Sequence, residues 1–208
     1  MEIEIPAFEN GGWIPRKFAM GIPDGEGRAK FGKNINPEIR WDYTHEDALS
    51  FALICVDPTA PTDPSTVNKA GISVPADQPR GNFYHWVLAD IHPQRSLIRE
   101  GEVSDEVKAK GKKFGISGLG MKGINTFTDW FADDPDMAGK YGSYDGPFPP
   151  WNDELIHEYH FKLFSLDIPS LNLSGAFTGD DVIAAMEGHI LEEAVWIGKY
   201  SLNKAIIG

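Results

Sequence analysis

Three observations predict a mainly β fold built from many short strands. With 22 Gly and 15 Pro in 208 residues, turns are frequent, which favours short strands over a helical bundle. Apolar runs of strand length end at turn signals. Period-two alternation is clearest where Leu155, His157, Tyr159, Phe161 and Leu163 share one face. No linker, repeat or low-complexity segment divides the chain, and all-β chains of this length often form one unit, so residues 1–208 are expected to be a single domain.

Taken in order, residues 1 to 40 are rich in loops, with short strands expected around Glu2–Ile5 and Ile39–Trp41. The first strong strand is Leu49–Val56, a continuous apolar run that implies burial on both faces and ends at the Asp57-Pro58 turn. A Pro-rich excursion to about Arg80 leads to the second, Tyr84–Ile91. There alternation groups His85 with Val87, Ala89 and Ile91, opposite Tyr84, Trp86 and Leu88. Ser104 is expected to cap a short helix through Lys110. Residues 104 to 145 otherwise form a long connection, of the kind that is usually functional. The third strong strand is Leu155–Leu166. Thr178, followed by Gly179-Asp180-Asp181, is a plausible N-cap. Val182, Met186, Ile190, Ala194 and Ile197 line one helical face, so a helix to about Lys199 is expected, with a last strand over Tyr200–Ile207.

Composition excludes several functions. A formal charge of −12 and the lack of any basic stripe argue against nucleic acid. Cys55 is the one cysteine, so no disulfide or thiolate cluster is expected, and its apolar setting marks it as a buried structural thiol. The first residues lack the features of a signal peptide, and no apolar run approaches the roughly 20 residues that span a bilayer. A cytoplasmic protein with no integral membrane segment is the expectation.

Most apparent motifs have a plain reading. Gly118-Leu-Gly120-Met-Lys-Gly123 matches a dinucleotide fingerprint in letters only, since no βαβ unit surrounds it. Asp134 to Asp145 has a calcium-loop outline but wrong residues at the fifth and twelfth positions. His157 and His160 are spaced like a metal pair, yet on a strand they point to opposite faces. His45 and His92 flank turns and are expected to be exposed. His189 is expected on the C-terminal helix, in a packing or capping role. Asp57, His85, His157 and Tyr159 remain, each at a strand end or beside a Pro-stiffened turn. Spacing alone leaves open whether they meet.

Together these segments resemble the phosphatidylethanolamine-binding protein family, whose bacterial branch is described as Raf-kinase-inhibitor-like. The residues are Asp57-Pro58-Thr59-Ala60-Pro61, then His85-Trp86-Val87-Leu88, then Gly146-Pro147-Phe148-Pro149-Pro150 and His157-Glu158-Tyr159-His160-Phe161. Asn34-Ile-Asn36-Pro37-Glu-Ile-Arg-Trp41 looks like the family's early Asn element, and residues 184–191 look like its C-terminal helix. The resemblance implies a sandwich of antiparallel sheets with a C-terminal helix and an anion pocket at one end. Asp57, His85, Pro149, His157 and Tyr159 would line that pocket, and Ala60-Pro61 would be a cis peptide. It implies no cofactor. It also implies a protein partner such as a kinase or protease, and a homodimer to which Trp130 and Phe131, expected to be exposed, could contribute. Three departures stand out: Thr59 replaces the family's second acid, residues 151–156 replace a shorter link, and an acidic insert lies near Asp129–Asp136.

These residues suit a small anion carrying phosphate or carboxylate, held by imidazole N–H and phenol O–H donors. Asp57 is expected to support one imidazole in its charged form, so affinity should rise as pH falls from about 8 to 6. A hydrolase or other acid–base enzyme is the competing class. Against it, no Ser stands in a nucleophile elbow and no His-x-x-x-His pair is present.

Overall fold

Apolar runs with no polar face can only be stable between two layers, and the sequence places its longest ones centrally. The computed structural model describes residues 1–42 and 47–207. Its strands are β1 (Glu2–Glu4), β2 (Gly12–Trp13), β3 (Gly21–Pro23), β4 (Ala29–Phe31), β5 (Ile39–Asp42), β6 (Ser50–Pro61), β7 (Arg80–Ile91), β8 (Leu97–Ile98), β9 (Gly115–Ser117), β10 (Gly120–Lys122), β11 (His157–Leu166) and β12 (Ile190–Tyr200). Helices are short: α1 (Phe127–Trp130), α2 (Gly179–Ala185) and α3 (Lys204–Ile207).

A seven-stranded sheet runs in the order β2-β12-β11-β6-β7-β10-β9, and a three-stranded sheet in the order β1-β5-β8. Pairing is antiparallel except between β12 and β2, which is parallel. Side chains alternate across β6, so each of its faces feeds a different core. Phe51, Leu53 and Cys55 join Ile3, Ile39 and Trp41 of the smaller sheet. Ala52, Ile54 and Val56 pack under Leu171, Phe177, Val182 and Met186. Burial on both faces of this strand is therefore what the uninterrupted run encodes.

Four local expectations are corrected. The C-terminal helix is only Gly179–Ala185, held by a capping box in which Thr178 and Asp181 bond each other's backbone N–H groups. Gly188, at φ +81°, ends the turn that follows, and residues 190–200 become a strand paired along most of β11. The apolar spacing at Ile190, Ala194 and Ile197 fits a strand partner as well as a helix, and long-range pairing decides. The tail read as a last strand forms α3 instead, with Asn203 Oδ1 accepting from Ala205 N. Ser104 caps no helix: it is buried, and its hydroxyl donates to the Asn34 carbonyl. No cis peptide occurs among the described residues, so Ala60-Pro61 is trans. His45 lies outside the described residues. His92 is exposed, and His189 lies beyond the helix with Nδ1 2.9 Å from Asp167.

Candidate functional site

The site forms where β6, β7 and β11 end on one side of the large sheet. On β11, strict alternation buries His157, Tyr159, Phe161 and Leu163. β6 does not stop at Asp57 but runs on to Pro61 through a register break between Asp57 and Ala60. Asp57 is anchored locally: its Oδ1 accepts from the Thr59 N–H at 2.7 Å and the Thr59 hydroxyl at 2.5 Å.

On β7 a bulge decides the chemistry. Cys55 pairs with Trp86 and Val56 with Tyr84, so His85 has no partner in the ladder. Alternation fails there, and the His85 ring lies against Tyr159, whose face also holds Trp86 and Leu88. The sequence grouping with Val87 and Ala89, which pack on the opposite core, is thus overturned. A bulge re-aims a side chain without moving the strand.

Asp57, His85, Pro149, His157 and Tyr159 all line one cavity of about 80 Å³. Phe83, Phe127, Trp130 and Phe148 make its walls aromatic. Trp130 is exposed at 45 %, as expected, whereas Phe131 is buried and stacked on Phe127, which corrects the expectation for Phe131. The cavity can take a small polyatomic group.

The two histidines are held differently. Nδ1 of His157 lies 2.6 Å from Asp57 Oδ2, and Nε2 lies 3.0 Å from Asp153 Oδ2. Carboxylates only accept, so both ring nitrogens donate and the ring is an imidazolium. Burial works against that charge, but the bonds to Asp153 and Asp57 prevail and raise the His157 pKa to about 9. Asp153 is in turn held by Arg80, with bonds of 2.6 and 3.0 Å. Burial would raise its pKa, but His157 and Arg80 bring it below the ordinary value. Asp57, His157, Asp153 and Arg80 therefore form one ionic chain in which the charges cancel.

His85 has no such support. Its Nδ1 lies 2.8 Å from the Asp145 carbonyl, which can only accept, so Nδ1 carries the hydrogen. Burial lowers its pKa to about 4, and the His157 charge adds to this against the opposing pull of Asp57. At neutral pH the ring is uncharged, with a lone pair on Nε2. Tyr159, 1 % exposed, has a hydroxyl without a partner among the described residues. Burial, and then the Asp57 charge, push its pKa well above the ordinary value, so the hydroxyl stays protonated. Two expectations change. His157 has no free N–H for an anion, and neither histidine changes charge between pH 8 and 6.

Several residues that shape the site went unread in the sequence. Asp153 lies in the link before β11 and Arg80 at the very start of β7, ahead of the strand read from Tyr84, and their pairing joins positions far apart in the chain. Asp145, seen only as the end of a poor calcium loop, is buried and bonded by Asn34 Nδ2 at 2.7 Å, Lys112 Nζ at 2.6 Å and Asn125 Nδ2 at 2.9 Å. Asn34 also accepts from Gly146 N at 2.8 Å, fixing the loop that carries Pro149. The Asn34-x-Asn36-Pro37 element was the available signal. The glycine-rich motif at 118–123 is a turn and the short strand β10, which pairs with both β9 and β7.

A two-layer β fold with a cavity at its strand ends, walled by Asp, two His, Tyr and a Pro-rich loop, has the architecture of a ligand-binding class of protein. The chain belongs to the phosphatidylethanolamine-binding protein family, whose model matches residues 4–201. It is 33% identical over 203 residues to a UPF0098 protein of Aquifex aeolicus, covering 95% of each chain. A UPF0098 protein of Methanothermobacter thermautotrophicus is 30% identical over 200 residues, covering 96% of this chain and 98% of that one. Among solved structures, Escherichia coli YbcL, described as a new member of the mammalian PEBP family, superposes with a TM-score of 0.67 at 18% identity, covering 96% of this chain and 97% of that one. A family homologue from Chlamydia trachomatis gives 0.64 at 23%, covering 96% of each. Both structures support the fold alone. No helix among the described residues is long and apolar enough to cross a membrane.

Proposed function

We propose that the protein binds a small oxyanion, of the phosphoethanolamine type, in the cavity between His85, His157 and Tyr159. One observation carries this reading: Tyr159 lines the cavity, and its buried hydroxyl has no partner among the described residues. A buried hydroxyl left unpaired costs about 1–3 kcal/mol, and a ligand oxygen would recover it. The family description points to the same ligand class. The aromatic walls exclude water around that bond and strengthen it. The ionic chain through His157 fixes the floor, and the Asn34-braced loop sets the rim.

Calorimetric titration of phosphoethanolamine into wild type and Tyr159→Phe tests this. Phe keeps the ring packing and removes only the hydroxyl. Saturable binding is expected in wild type, weakened about tenfold in the variant. A folded wild type that binds no phosphoethanolamine would sink the proposal.

A further inference from the structure

The cavity's hydrogen-bonding groups are unlike those of a site built for a fully ionised anion. Such a site presents donors only. Here Tyr159 supplies a donor, whereas Nε2 of His85 presents a lone pair because Nδ1–H is committed to the Asp145 carbonyl at 2.8 Å. The two rings are neighbours, with centroids 5.0 Å apart and both lining the cavity. Asp57 adds a carboxylate to the same wall, its charge already matched by His157. No cationic N–H is left over on His157, since both ring nitrogens face carboxylates.

We infer that the site selects an oxyanion carrying a hydrogen: a phosphomonoester is bound as its monoanion, its P–OH donating to Nε2 of His85 and another oxygen accepting from Tyr159. This rests on the oxyanion reading above and adds the ligand's protonation state. A phosphomonoester suits the role because its second proton leaves near pH 6, so about half of it is monoanion at that pH. A dianion has no hydrogen to give and would leave the His85 lone pair facing an oxygen that also only accepts.

The alternative is that a bound anion protonates His85 itself. The groups that bear on that ring are the Asp57 charge and the backbone of Asp145 and Gly146, which favour its protonation, against burial and the His157 charge. Tyr159 is un-ionised, and Phe83 and Phe127 cover the ring without charge. Burial dominates and keeps the ring neutral. The proton therefore comes with the ligand.

Phenyl phosphate and phenyl sulfate separate these cases, because the sulfate ester is a monoanion of similar shape with no hydrogen to donate. Calorimetry on the wild-type protein at pH 6 should show phenyl phosphate binding at least about tenfold more tightly. Its affinity should fall about fiftyfold from pH 6 to 8, with proton uptake from buffer, because the monoanion becomes scarce. His85→Gln, whose amide also donates, should narrow the preference. Equal affinity for the two esters would place the proton on His85 and overturn this inference while leaving oxyanion binding intact. Binding of neither ester would overturn both.

Discussion

The cavity has two walls made of the same kinds of residue and holds them in opposite states. On the β11 side, His157 has a carboxylate at each ring nitrogen and is charged. On the β7 side, His85 has one backbone carbonyl and aromatic neighbours, and is neutral. Both rings are almost fully buried, at 1 % and 3 % exposure. Burial alone would neutralise both, and the hydrogen bonds that His157 donates to Asp153 and Asp57 make the difference. His157 has both ring nitrogens bonded and works as scaffold. His85 keeps a lone pair on Nε2, and beside it the Tyr159 hydroxyl of β11 has no partner among the described residues; these are the groups the proposed ligand would meet.

The largest effect expected from this contrast is on stability. His157→Ala leaves Asp57 and Asp153 buried without the cation between them, a loss of about 3–5 kcal/mol. His85→Ala removes one hydrogen bond and part of an aromatic cluster, a loss of about 1–3 kcal/mol. Urea unfolding of the two variants measures this. Equal losses would mean that the ionic chain is no more structural than the opposite wall.

The same contrast predicts a stability maximum in pH. The folded pKa of His157, about 9 against 6.5, is raised, so its contribution is complete below 6.5 and is lost as pH climbs through 9. The folded pKa of His85, about 4 against 6.5, is depressed, so the unfolded ring takes up a proton first and stability is lost as pH falls from 6.5 through 4. Each limb amounts to roughly 3 kcal/mol. Urea midpoints at pH 4, 6.5 and 9 should trace both, and imidazole resonances should assign the acid limb to His85 and the alkaline limb to His157. A profile with a single limb would place both rings in one environment.

Much of this geometry was legible because it rides on strand alternation. Leu49–Val56 announced a strand between two cores, and period two put His157 and Tyr159 on one face. The bulge at His85 was not legible, since a one-residue slip leaves no compositional mark, yet it sets which wall the ring joins. Asp153 and Arg80 were hidden for another reason. They meet across 73 positions, and nothing local about either residue signals the partner. At the C-terminus, one glycine separates a short helix from a strand. Val182, Met186 and Ile190 fit helical spacing across that break, so period alone could not see it.

Thr59 supplies the smallest and sharpest test. It stands where the family motif, as read in the sequence, has a second acid, and here its hydroxyl donates to Asp57 Oδ1 while accepting from Glu158 N at 3.3 Å. Thr59→Val keeps the shape and removes that donor. Asp57 retains the Thr59 N–H and His157, so no charge is stranded, and a cost of about 1–2 kcal/mol is expected. With one donor fewer, the carboxylate leans more fully on His157. The imidazolium pKa should therefore hold or rise slightly, and that of His85 should stay near its wild-type value. Unfolding curves and histidine titrations of the one variant measure both. A fall in the His157 pKa would mean that Thr59, rather than the paired carboxylates, keeps that wall charged.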